Sequence, residues 1–337
     1  MYKLTEFNYR LPEELIAQEP LRNRDQARLL VVDRKKKAVS HDTFENIGQY
    51  LPKNSLVVLN NTKVIPARLL GVKERSGGQV EIFLLNKLKE GCSYETLMRP
   101  MRRIKDGDVV SFGDGKLKAT VVDKDKKIVR FNRKDVLPYL ERIGHVPLPP
   151  YIKRADTKED REFYQTVYAR HAGSVAAPTA GLHFTKPLLS RLKKQGHDIV
   201  NVTLHVNYAT FKPVEEPDIR THKMHIEEYS ASKVTWEKVQ QAKKDKRKIV
   251  AVGTTSCRVL EAVAQTGKIK GKTNLFIYPG YKFQCVDTLI TNFHLPFSSL
   301  LMLVYAFGSS AVMKKAYNEA VKSKYRFYSY GDGMVIV

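Results

Sequence analysis

The sequence is poor in cysteine, in acidic side chains and in long apolar runs, and each shortage narrows what the protein can be. Three cysteines occur, Cys92, Cys257 and Cys285, far apart and in no CxxC pair. That argues against a disulfide framework or a zinc site and for a reducing compartment. The most apolar run, residues 300–307, is too short to cross a bilayer. The N-terminal stretch MYKLTEFNYRLPEE lacks the apolar segment of a signal peptide. A cytoplasmic protein without membrane association is therefore expected. Among 337 residues, 35 Asp+Glu face 58 Lys+Arg, a formal net charge of +23. Such a surplus attracts polyanions, nucleic acid first, although a lysine-rich solvated surface has the same composition. The phosphate-binding P-loop, the GxGxxG dinucleotide turn and the GxSxG nucleophile elbow are all missing.

What is present reads as an α/β chain with a β insertion. Residues 28–41 predict a hairpin, RLLVVDR and AVSH around a KKK turn, and SLVVLNN predicts a buried strand. From residue 66 to 149 the texture changes to short alternating runs (ARLLGVKE, QVEIFLL, SYETLMRP, DVVSF, KLKATVV, KKIVRFN). Turns rich in Gly and Asp separate these runs, the pattern of a small barrel. VPLPPYIKR then predicts a stiff linker, because proline breaks both ladders and helices. Beyond it, helix and strand alternate. EDREFYQTVYAR, KPLLSRLKKQG (capped by Thr185), VTWEKVQQAKKDK, SCRVLEAVAQTG and one long segment over 298–324 predict helices. IVNVTLHV, IVAVG, NLFIYPGY and MVIV predict strands. The expected architecture is an α/β sheet domain, residues 1–65 plus 150–337, interrupted by an inserted small β-barrel domain, residues 66–149.

Ligands of α/β sheets bind at the C-terminal ends of strands, so the candidate residues are sought there. Gly253, Thr254, Thr255 and Ser256 stand between a strand and a helix, either as an anion-binding turn or as an ordinary helix cap. His205 ends VTLHV. His222, His225, Glu227 and Glu228 cluster in THKMHIEEY, which reads as an acid/base pair or a surface loop, and only weakly as a metal site. Asn292 and His294 lie at a strand end before a proline. Aromatics crowd Gly331-Asp332-Gly333 in YRFYSYGDGM, and Asn60-Asn61-Thr62 closes another strand. Residues 173–184, GSVAAPTAGLHF, are uncharged and small up to His183, as a backbone that approaches a ligand closely must be.

Together LPEELIAQEP, LNNTKVIPARL, GHVPLPPYIKR, AAPTAGLHFT, VTLHV, HKMHIEEY, AVGTTSCRVLE, TNFHLP and KYRFYSYGDGM, in that order along the chain, resemble the S-adenosylmethionine:tRNA ribosyltransferase-isomerase family of queuosine biosynthesis. The resemblance implies S-adenosylmethionine as co-substrate, giving its ribosyl group to 7-aminomethyl-7-deazaguanine at the tRNA wobble position. Epoxyqueuosine-tRNA is left, with adenine and methionine released. Such chemistry needs a base to remove the proton beside the sulfonium and an acid for the departing adenine, but no metal. His183 and His205 are the leading acid/base candidates, followed by Glu227, Glu228 and Asp332. Ala176, Ala177, Thr179, Ala180 and Gly181 are the expected wall for the adenosyl group or the deazaguanine, and the turn of Gly253, Thr254 and Thr255 is the expected seat of the methionine carboxylate. Arg258 is the expected partner of the methionine carboxylate, and Arg68 and Arg99 are candidates for phosphate. A monomer is expected. The chain departs from the family's HVGxGTF at Asn207 and Ala209, from its GDAM at Gly333, and from its AFAG in AFGSS. If the two replaced glycines adopt positive φ, asparagine tolerates the change better than alanine. Rival readings are a tRNA-binding protein without catalysis, a methyltransferase, and a basic α/β enzyme acting on a small phosphorylated substrate.

Overall fold

The computed structural model describes residues 2–88, 91–208 and 213–337. The chain opens with a hairpin, β1 (Arg28–Asp33) and β2 (Ala38–Thr43), followed by β3 (Leu56–Asn60) and the short β4 (Thr62–Val64). Six strands come next: β5 (Arg68–Lys73), β6 (Gln79–Lys87), β7 (Ser93–Arg99), β8 (Val109–Phe112), β9 (Leu117–Asp123) and β10 (Ile128–Phe131). Helices α1 (Leu137–Ile143) and α2 (Asp160–Phe163) lead to β11 (His171–Ser174), α3 (Lys186–Lys194), β12 (Asp198–Leu204), β13 (Glu227–Ala231), α4 (Lys233–Lys244) and β14 (Ile249–Val252). Then follow α5 (Gly253–Thr266), β15 (Lys270–Thr273), β16 (Thr288–Asn292), α6 (Ser299–Gly308), α7 (Ser310–Lys322) and β17 (Gly333–Ile336).

Nine strands form one sheet in the order β15-β13-β12-β3-β14-β16-β17-β1-β2. Its centre, β12 through β16, is parallel. Beyond it β13, β15, β17 and β2 run antiparallel to their inner neighbours, and β1 runs parallel to β17. The central strands LVVLN, IVAV and TLITN are buried along their whole length, as strands covered on both faces must be. Successive side chains alternate between the two faces. Leu30, Val32, Val58 and Ala251 meet α5 and α6, whereas Leu29, Val31, Val57 and Val250 meet Leu188 and Leu192 of α3. Thr185 caps α3, accepting from Leu188 N at 3.2 Å.

Between β4 and β11 the six strands β10-β7-β6-β5-β8-β9 close into a barrel. Its interior is filled by Leu69, Ile82, Leu84, Met98, Val110, Phe112, Val121 and Val129, which makes it a packed core and not a channel. Val175 joins that core and Tyr208 packs on Phe83 at 5.0 Å, so the barrel leans on the segments flanking β11 and β12.

Three expectations are corrected. Residues 159–170 hold a helix only over Asp160–Phe163. Beyond it Gln165 turns its amide onto both backbone groups of Val64, at 3.0 and 3.2 Å, and that pairing overrides helix propensity. NLFIYPGY is not a strand; the edge strand is Lys270–Thr273. The chain after it is held down by Glu261, whose carboxylate accepts from Gln284, Cys285 and Val286 N at 2.8–3.0 Å. The long helix over 298–324 is two helices, broken at Ser309, which takes φ 65°.

Candidate active site

The parallel strands β3, β14 and β16 end on one side of the sheet, and a cleft of about 680 Å³, its open mouth included, lies there. One wall is the small-residue segment, Ala176 to Ala180. A second is the start of α5, Gly253 to Thr255. A third is the turn after β16, Thr291 to Leu295, and Tyr151, Tyr328 and Ser329 close the cleft. Gly253 has φ 84°, a left-handed conformation that an L side chain rarely adopts. It lets β14 turn directly into α5. Its N-cap residue, Val252, makes no side-chain cap hydrogen bond, and an uncapped helix start suits an anionic group. Thr255 Oγ1 and Asn292 Oδ1 are buried here without a hydrogen-bond partner among the described residues. Buried polar atoms are normally satisfied, and orphans facing a cleft mark where a ligand's own polar groups fit.

Ala176, Ala177, Thr179 and Ala180 of the expected wall and Gly253, Thr254 and Thr255 of the expected carboxylate turn line the cleft. Gly181 does not line it. A Cβ at Gly181 would collide with the Tyr168 hydroxyl, so this glycine serves a close approach behind the wall. Arg258, one turn into α5, is buried and ion-pairs with Glu227, while its Nε donates to Leu275 O at 3.1 Å. A buried guanidinium requires such a partner. Glu227 Oε1 also accepts from Asn207 N at 3.3 Å.

The acid/base candidates are not gathered in the cleft. His183 stands behind Asn292, stacked on Phe44 at 4.7 Å, and faces a smaller neighbouring hollow. Burial holds its imidazole neutral, pushed down to about 4. His205, half-buried beside the cleft-lining Val206, meets Thr62 Oγ1 through Nδ1 at 2.8 Å. It opens on a groove with His171, Glu228, Lys270 and Lys272. Burial lowers its pKa, Glu228 opposes that shift and His171 adds to it. Glu228 is solvent-facing and pairs with Lys272 at 3.3 Å. Asp332 is buried, and its two oxygens accept from Arg28 N at 3.0 Å and Arg326 N at 2.8 Å, which pins the 326–332 turn to β1.

Over residues 4–336 the chain matches the model of the family described as queuosine biosynthesis protein. It belongs to that family. Curated relatives named S-adenosylmethionine:tRNA ribosyltransferase-isomerase include one from Sulfurihydrogenibium sp., 50% identical over 99% of this chain and 100% of the relative. Another, from Clostridium kluyveri, is 49% identical over 99% of each. A crystal structure titled S-adenosylmethionine tRNA ribosyltransferase, from Thermotoga maritima, superposes with a TM-score of 0.58 at 38% identity, covering 98% of this chain and 100% of that one. By this membership the chain is an enzyme, a ribosyltransferase-isomerase of queuosine biosynthesis.

Where the chain departs from the family's usual glycines, Asn207 is not among the described residues with positive φ, so that position carries no left-handed strain. Ala209 lies outside the described residues. Arg68 pairs with Glu81 at 2.8 Å, and Arg99 is exposed on the barrel. His222 pairs with Glu216 at 2.8 Å and packs on Phe276. Among the described residues, no three His, Cys, Asp or Glu side chains come together as a metal site requires, and no helix is long and apolar enough to cross a membrane. Reading the sequence of this family member missed Tyr151, Thr291, Phe293, Tyr328 and Ser329 as cleft residues. Tyr151 sits in the proline linker, and its hydroxyl meets Ser329 Oγ at 2.7 Å. An aromatic at a domain junction was the available signal.

Proposed function

We propose that this enzyme binds S-adenosylmethionine in the cleft beside α5, transfers and isomerises its ribosyl group onto 7-aminomethyl-7-deazaguanine at the wobble position of tRNA, and leaves epoxyqueuosine-tRNA, adenine and methionine. The observation that carries this reading is 50% identity over the full length of a relative bearing that enzyme's name. The cleft supports it. A small-residue wall (Thr179, Ala180), a hydroxyl-bearing helix start (Thr254, Thr255) and apolar flanks suit an adenosyl group with a carboxylate tail.

In this proposal the start of α5 takes the methionine carboxylate, while Arg258, one turn further on, is engaged by its buried ion pair with Glu227. His205, next to the cleft-lining Val206 at the neighbouring groove, is our candidate for the base that removes the proton beside the sulfonium, reached by the ribosyl end of the ligand. Thr62 Oγ1 lies 3.5 Å from His171 O and donates to it, so Nδ1–H of His205 donates to Thr62 and Nε2 is the basic nitrogen. Its lowered pKa keeps that nitrogen unprotonated at neutral pH. Glu227 holds the 207 loop beside the cleft, Glu228 tunes His205 across the groove, and Asp332 braces the turn that carries Tyr328. The barrel domain, residues 66–149, and the α/β domain, residues 1–65 plus 150–337, together present a basic surface to tRNA. The proposed protein is a cytoplasmic monomer that needs no metal.

A mass balance tests the reading. The protein is incubated with S-adenosylmethionine and tRNA carrying the 7-aminomethyl-7-deazaguanine base. Free adenine and methionine are expected in step with a mass gain on the tRNA. Bound tRNA with no adenine released would establish a binding protein instead, and S-adenosylhomocysteine would establish a methyltransferase.

A further inference from the structure

Asn292 ends β16 and is 1% exposed. Its Nδ2 lies 3.2 Å from Tyr328 O, 3.2 Å from His183 Nε2 and 3.5 Å from Asp332 O. Two of these neighbours are backbone carbonyls, which can only accept, so the amide nitrogen belongs on this side and the oxygen on the other. The NH₂ group has two hydrogens, and the two shorter contacts take them. The one aimed at the imidazole requires Nε2 to carry no proton. Burial against Phe44 keeps the His183 ring neutral, so one of its nitrogens carries no proton and Nε2 can be the acceptor. Oδ1 is therefore left on the opposite side of the amide, in a residue that lines the cleft, buried and without a partner among the described residues.

We propose that Asn292 Oδ1 accepts a hydrogen bond from the exocyclic amine of an aminopurine bound in the cleft, and that His183 is the positioning residue that prevents the amide from turning over. This rests on the reading that S-adenosylmethionine enters here, and it assigns the subsite of the adenine. The surroundings select the ligand chemistry. None of the described residues lining the cleft is acidic, so no carboxylate there competes with Oδ1 for a ligand's N–H donor. Beside Asn292 stand Tyr328 and Tyr151, with ring centroids 4.5 Å apart, surfaces suited to a flat heterocycle. Asn292 is the one carboxamide among the described lining residues. A guanine edge offers two adjacent donors and a carbonyl to satisfy, whereas the amino group of adenine asks for one acceptor.

The test is calorimetric titration of the full chain with S-adenosylmethionine and with its analogue carrying purine in place of adenine, which lacks only the amine. The wild-type protein is expected to prefer S-adenosylmethionine by about 10-fold. In Asn292→Ala, and in His183→Phe, which removes the accepting nitrogen, the preference should fall below about 3-fold while tRNA affinity is kept. A merely structural defect would weaken both ligands alike and leave their ratio unchanged, which overturns the assignment. Equal wild-type affinity for the two ligands overturns it without any variant having to fold. A preference that moves instead to the tRNA base, seen as a raised KM for tRNA in Asn292→Ala with the S-adenosylmethionine ratio intact, assigns Asn292 to the other substrate and also overturns it. Wild-type protein that binds neither ligand sinks the proposed function along with this inference. Adenine release with no discrimination between the ligands sinks the inference alone.

Discussion

Asp160 shows how one side chain can tie together distant parts of this chain. Its oxygens accept from both terminal nitrogens of Arg154 at 2.6 and 2.9 Å, from Thr157 N at 2.8 Å and from the Tyr330 hydroxyl at 2.7 Å. The linker that follows the barrel is thereby locked to the turn that carries Tyr328 and Ser329. Burial pushes the carboxyl up, but the Arg154 and Tyr330 hydrogen bonds outweigh it and leave the pKa at about 2. A pKa lowered in the folded state contributes stability above the ordinary value of 3.8 and loses it as pH falls through about 2. Asp160→Asn should therefore cost roughly 1–2 kcal/mol at pH 7, once screening by nearby solvent is discounted. The gap in melting temperature between the two proteins should close between about pH 4 and pH 2. A gap that stays constant to pH 2 would show that packing, and not charge, is what the carboxylate supplies.

At the scale of the element, the parts legible in sequence were those whose pattern is local. The barrel strands announced themselves because alternating side chains and Gly/Asp turns follow each other within a few residues, and all six lie where that alternation placed them. The start of α5 was legible from GTTS, and the helix begins there, at Gly253. The cleft was half legible. Its small-residue wall is contiguous, but Tyr151, Thr291 and Tyr328 come from segments far apart in sequence, and only tertiary folding brings them together. The break between α6 and α7 was invisible because it is a backbone strain. Ser309 takes φ 65° and ψ 145°, a region that suits glycine, at the joint of two otherwise good helices. Ser309→Gly is expected to stabilise the protein by about 1 kcal/mol and raise its melting temperature by about 1–3 °C. A fall instead would mean that the serine hydroxyl contributes more than the strain costs.

On the scale of the whole molecule, the surplus of +23 charges is the feature read most directly from composition and tested most simply. If the protein tracks the phosphates of a tRNA, log affinity must fall linearly with log salt, by about 0.7–0.9 per phosphate neutralised. A slope of about −4 or steeper for tRNA is expected, beside a nearly flat response for S-adenosylmethionine. Equal and shallow slopes would return the positive charge to its plain reading, a lysine-rich solvated surface. The fold itself was legible as an α/β sheet with an inserted barrel. The sheet order was not, because neighbouring strands such as β1 and β17 are separated by nearly the entire chain.

That last pairing governs the order of assembly. The β1–β2 hairpin reaches the sheet only through β17, which lies between β1 and β16. During synthesis on the ribosome, the first strands to emerge must wait, unattached, until residues 333–336 have left the exit tunnel. A nascent chain stopped after the barrel would hold a finished barrel beside an unsatisfied hairpin edge, a natural client for a chaperone.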